Sequence, residues 1–140
     1  MWIFDSSIDK KMNSFALLLV RIVAGVFMLT HGIMKFNMLL KGGPIEFADP
    51  IGIGPSASLL LAIFAELLCS AFLIIGLATR LVALPLIINF FVVVFVVHAN
   101  DFEKQEIGAL YLLIYVLLFI TGSGKYSVDG LIAKRNKRRY

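Results

Sequence analysis

Long apolar runs alternate with short polar breaks along the chain, and the pattern repeats four times, predicting helices over about 14–36, 57–78, 81–98 and 107–121. A ~30 Å hydrocarbon layer takes ~20 residues of helix at ~1.5 Å each, so these runs have the length of membrane spans, the fourth being rather short. The break at 37–56 collects Gly42, Gly43, Pro44, Pro50, Gly52, Gly54 and Pro55, which predicts a structured loop with a short interfacial turn around 45–48. Thr79 and Arg80 are expected to form a tight turn, and 99–106 a charged loop. Pro85 is tolerated inside a span because neighbouring helices satisfy the carbonyl it frees.

The spans are not uniformly apolar. At about 100° per residue, Arg21, Gly25, Met28, Gly32 and Lys35 fall on one stripe of the first helix, with His31 at its edge. Ala62, Glu66, Cys69, Leu73 and Gly76 form a second stripe, in which small residues flank a lone carboxylate. Such stripes let helices approach closely or leave a narrow slot between them.

Composition agrees with this pattern. Sixty per cent of the residues are hydrophobic and the mean hydropathy is +0.94, against about 45–50% apolar residues in a soluble domain. The chain is therefore predicted to be an all-α, integral membrane four-helix bundle forming one domain over 1–140, with a basic tail at 131–140. Lys10 and Lys11 before an apolar run imitate a signal peptide. The run is too long, holds Arg21 and lacks an A-x-A cleavage site, so it is expected to be retained.

Charge orients the bundle. With four spans the termini share a side, which holds Lys10, Lys11, Arg80, Lys125, Lys134, Arg135, Lys137, Arg138 and Arg139. Lys35, Lys41 and Lys104 lie on the other side and Arg21 lies within the membrane. The positive-inside bias then puts both termini in the cytoplasm, and the expected location is a bacterial cytoplasmic membrane. The +4 net charge needs no nucleic acid, since a Lys/Arg tail anchors a helix end to anionic lipid.

The candidate ligand-binding residues are the ionisable and aromatic polar groups in or beside the spans: Arg21, His31, Lys35, Glu66, His98 and Tyr111. A charge at depth is expensive, so Arg21 requires a partner, and depth counting makes Glu66 that partner. The pair either locks helices 1 and 2 together or transfers protons and hydrogen-bonds a polar ligand. His31, Lys35 and His98 share one rim, where they suit a quinone carbonyl, an anion or a partner's acidic patch as well as an ordinary interface. Two histidines without nearby cysteine or His-x-x-x-His spacing are a poor metal set, so no metal site is expected. The lone Cys69 excludes an intrachain disulfide and a C-x-x-C relay, and is expected to pack. No catalytic set of Ser, His and Asp is present.

Arg21, Gly25, His31, Gly32 and Lys35, then Gly42, Gly43, Gly52 and Gly54, then Glu66, Gly76, Leu77 and Arg80, and finally Gly122, Gly124, Lys125, Tyr126, Ser127 and Asp129 make up an ordered set of motifs. In this the chain resembles the DoxX family of small four-helix bacterial membrane proteins, with Lys125 where the family usually has Arg. The resemblance implies similarity to a membrane subunit of thiosulfate:quinone oxidoreductase, or to membrane partners of soluble thiol-handling proteins in oxidative-stress complexes. Two functions follow as expectations. One is a quinone-interacting subunit, fed electrons by a soluble redox partner, with the quinone between helices 1, 2 and 4. The other is a non-catalytic scaffold that recruits or stabilises a partner through its loops and the 126–129 turn. A transporter is a third reading and would require a homo-oligomer, because one chain supplies few helices.

Overall fold

The structure is a computed structural model that describes residues 9–137. Arg138 and Arg139 of the basic tail lie outside the described residues. Five helices run in order: α1 Lys10–Lys41, α2 Pro55–Ile75, α3 Thr79–Val97, α4 Phe102–Thr121 and α5 Val128–Lys137. No strand is present among the described residues. α1 to α4 are long and apolar enough to cross a bilayer, and the chain is a multi-pass membrane helical bundle in contact with lipid.

The helix ends follow capping chemistry. Asp9 accepts from the amides of Lys11 (2.8 Å) and Met12 (3.4 Å), which starts α1 earlier than position 14. α1 ends at Gly42, whose φ of +67° a glycine adopts without strain. No helical turn forms at 45–48; the loop instead turns at Pro50 and Ile51. Asp49 determines that shape by accepting from the amides of Ile53 (3.0 Å) and Gly54 (2.9 Å) and from Ser58 Oγ (2.9 Å) at the start of α2. Thr79 and Arg80 are not a turn but the first residues of α3, and the reversal is made by Gly76, Leu77 and Ala78. Asp101 accepts from the Lys104 amide (3.3 Å), so α4 starts at Phe102 and absorbs most of the expected 99–106 loop.

α2 and α3 each contain a π-helical stretch, Phe64–Cys69 and Val93–Val97. A π turn inserts an extra residue into the helical repeat and is characteristic of functional sites. The packed centre is formed by Met28, Ala65, Cys69, Leu73, Val82, Leu86, Phe90, Tyr115 and Leu118. Cys69 is buried in it, consistent with a packing role. α4 packs mainly on α3 and meets α1 only sparsely.

α1 and α2 touch through the predicted glycine stripe. A Cβ built on Gly32 would stand 2.6 Å from the Leu67 nitrogen and 2.8 Å from the Glu66 carbonyl oxygen. Gly25 instead faces the Ile74 side chain, 2.5 Å from a Cβ built there, with the Ser70 carbonyl at 3.4 Å. Backbone therefore meets backbone at Gly32, and the narrow slot expected there is closed.

Candidate functional site

Glu66 lies on the π-helical stretch of α2 and is 3% exposed. It is held from two sides. Lys35 Nζ on α1 donates to Oε2, and Asn89 Nδ2 on α3 donates to Oε1 at 2.9 Å. The lysine reaches this depth because its methylene stem lies along apolar surface, which leaves its side chain 24% exposed. An ionised carboxylate in a low-dielectric bundle persists only when paired and hydrogen-bonded, and here both oxygens are engaged.

Beside this cluster is a half-open cavity of about 590 Å³ lined by α1 to α4 and by the 47–51 segment. Its wall is mostly apolar, with Met28, Ala62, Ala65, Pro85, Phe90 and Gly108 among its residues. The polar groups that reach it include His31, Lys35, Ser58, Glu66, Asn89, His98 and Tyr111. Five of the six candidate residues are thus gathered at one cavity: His31, Lys35, Glu66, His98 and Tyr111. Tyr111 is half-buried there, its ring 5.3 Å from that of Phe90 and stacked on buried Tyr115 at 6.2 Å. The Tyr115 hydroxyl has no partner among the described residues. Asn89 was not anticipated. Its signal was a single amide inside the apolar run 81–98.

Arg21 does not belong to this cavity, and it does not pair with Glu66. Its buried guanidinium donates to three main-chain carbonyls, from Nε to Ile74 (3.3 Å), Nη1 to Ser123 (2.5 Å) and Nη2 to Tyr126 (2.8 Å). The depth count was anchored on helix ends at 14 and 78. In the observed antiparallel register Gly32 levels with Glu66, leaving Arg21 about 11 residues, or ~16 Å, further along α1.

This second cluster ties Gly76 and the final turn of the chain together in structural terms. Gly76 has φ +70°, and a Cβ there would meet Ser127 Cβ at 2.5 Å and Arg21 Cζ at 2.7 Å. Ala78 cannot cap α3, so Asp129 does so from a distance, accepting from the amides of Ala78 (2.7 Å) and Thr79 (2.9 Å). Burial pushes the Asp129 carboxyl up, but the hydrogen bonds from Thr79 and Ala78 outweigh it, and its pKa lies below the ordinary value. Arg80 donates to the Ile120 carbonyl (3.2 Å), and Gly122 and Gly124 turn the chain with positive φ. Tyr126 contributes its carbonyl while its ring stays exposed.

Comparison with known proteins places these residues in context. The DoxX family model matches residues 16–99, which carry Arg21, His31, Lys35, Glu66, Asn89 and His98. A protein of Bacillus subtilis (strain 168) named "Putative oxidoreductase CatD" is 30% identical over 122 residues, covering 86% of this chain and 89% of that protein. No solved structure matches.

Proposed function

The chain belongs to the DoxX family, and from that premise we propose that it is the quinone-interacting membrane subunit of a redox system. The observation that carries this reading is the mostly apolar cavity of about 590 Å³ with Lys35, Glu66 and Asn89 converging on one wall. A quinone ring is flat, apolar in area and bears two carbonyl acceptors, and a pocket of this kind with a few fixed polar groups suits it. Lys35 has two further N–H groups beyond the one given to Glu66, and Asn89 has a second amide hydrogen. Those donors, with the Tyr111 hydroxyl and the imidazoles of His31 and His98, would hold the carbonyls. Reduction of the ring requires protons at its oxygens, so the Lys35 ammonium would stabilise the negative charge that develops there and donate a proton, with Glu66 holding the proton that replaces it.

Bound quinone supplies two-electron chemistry, and a soluble redox protein would be the electron donor. The name of the Bacillus relative, an oxidoreductase, supports a redox setting. The nine-to-three charge asymmetry supports an orientation in the bacterial cytoplasmic membrane with both termini cytoplasmic and the cavity in the outer half. A reporter fused after the last residue should fold inside, whereas one inserted near Gly43 should be outside.

A scaffold role draws on a different feature. The Arg21 cluster fixes the 122–129 turn rigidly while Lys125 and Tyr126 stay exposed. Native mass spectrometry of protein extracted with its own lipids separates the two readings. About one quinone per chain, lost in Tyr111→Ala, is the expected result. Wild-type protein that retains no quinone but holds a partner protein would favour the scaffold.

A further inference from the structure

A second, wholly apolar groove of about 470 Å³ runs along the outside of the α1–α4 seam. On α1 it is lined by residues such as Val23 and Phe27, and on α4 by Leu110 and Ile114. Ile107 and Tyr111 line both this groove and the central cavity.

The two spaces are also ordered in depth. On α1 the cavity touches Met28, His31 and Lys35, whereas the groove covers positions 19–27, so one begins where the other ends. The groove therefore extends about 12 Å along α1, away from the rim that holds His31 and across the middle of the helix. Val23 and Phe27 are 50% and 57% exposed, as lipid-facing residues are. The two spaces adjoin at Ile107 and Tyr111, with the charged groups on the cavity side, and the seam the groove follows is sparsely packed.

From this geometry we infer that the α1–α4 seam is a lateral entry for an amphiphile with a polyprenyl tail, with the head in the Glu66 cavity and the tail in the groove. The inference rests on the proposed quinone reading and specifies its ligand as long-tailed and delivered from within the membrane. Tyr111 is the residue around which the molecule bends. A ring entering from water would have no use for the groove. A tail lying along the middle of α1 stays in hydrocarbon throughout.

The test is a binding titration in nanodiscs with two probes, an isoprenoid quinone and the same quinone ring without its tail. Val23→Trp and Leu110→Trp fill the groove from lipid-facing positions, and Phe95→Trp, on a lipid-facing part of α3 outside the groove, is the control. Both groove variants should melt like wild type. They should weaken the tailed quinone by about tenfold or more while leaving the tail-less ring unchanged, with Phe95→Trp altering neither. Wild-type protein that binds both probes while the groove variants bind them equally well, or lose both alike, would overturn the lateral entry and leave the cavity assignment standing. Wild-type protein that binds neither probe would overturn both.

Discussion

Lys35 and Glu66 form the ion pair that joins α1 to α2 within the bundle, and Asn89 completes it from α3. Three helices thus converge on one carboxylate at the cavity wall. Replacing Glu66 with Gln or Lys35 with Met should each leave a charge uncompensated and destabilise the protein by about 3 kcal/mol, the lower end for buried pairs because Lys35 retains some exposure. The double variant should recover much of that loss, since no charge is then stranded. Strictly additive losses in detergent denaturation would show that the pair is not coupled.

Arg21 should behave independently of that pair. Its three carbonyl acceptors diverge, and a planar guanidinium reaches all of them where an ammonium reaches fewer. Arg21→Lys is therefore expected to cost about 2 kcal/mol or more, the scale of losing hydrogen bonds from a charged group. It should also expose 122–137 to protease. Combined with Glu66→Gln, its effect should simply add, because the two clusters share no partner.

The spans and the small-residue stripe were legible in the sequence because hydrophobic length and helical period reveal them directly, and five of the six residues singled out there line one cavity. The partner of Arg21 was not. Pairing across antiparallel helices depends on register, and Asp9 starts α1 early while Gly32 levels with Glu66, neither of which periodicity reveals. The π-helical stretches were equally hidden, because an extra residue per turn has no compositional signature. Asn89 was visible only as one amide in an apolar run, and its importance comes from the helix opposite. The glycines and Asp129 of the final turn formed a motif in sequence, yet their common purpose is clear only once Arg21 and the α3 amides are seen between them.

The Asp129 cap should be acid-sensitive. Its carboxyl has a folded-state pKa below the ordinary value, so its stabilisation is fully present above the unfolded value of about 4 and is lost as pH falls through the lower folded value. Hydrogen exchange at the amides of Ala78 and Thr79 should be slow at pH 5 and accelerate, beyond the intrinsic pH effect, below about pH 4. Asp129→Asn should exchange faster than wild type at pH 5, lose that acid-dependent component and converge with wild type at low pH. An unchanged acid response in Asp129→Asn would assign the titration to another group.

The two glycines of α1 should differ sharply, because they meet different kinds of atom. At Gly25 the nearest obstacle to a Cβ is the Ile74 side chain at 2.5 Å, which has rotamers to move into. At Gly32 the obstacles are the Leu67 nitrogen and the Glu66 carbonyl group, all within 2.8 Å, and main chain inside a helix does not yield. Gly25→Ala should therefore cost about 1 kcal/mol, whereas Gly32→Ala should cost about 3 kcal/mol or more by forcing α1 off α2. Because the contact at Gly32 is with the residue that carries the cavity's carboxylate, the substitution should also weaken whatever the cavity binds. Gly25→Ala, about two turns away, should leave binding intact. Equal melting temperatures for the two variants would mean that α1 and α2 are less closely apposed at Glu66 than the structure places them.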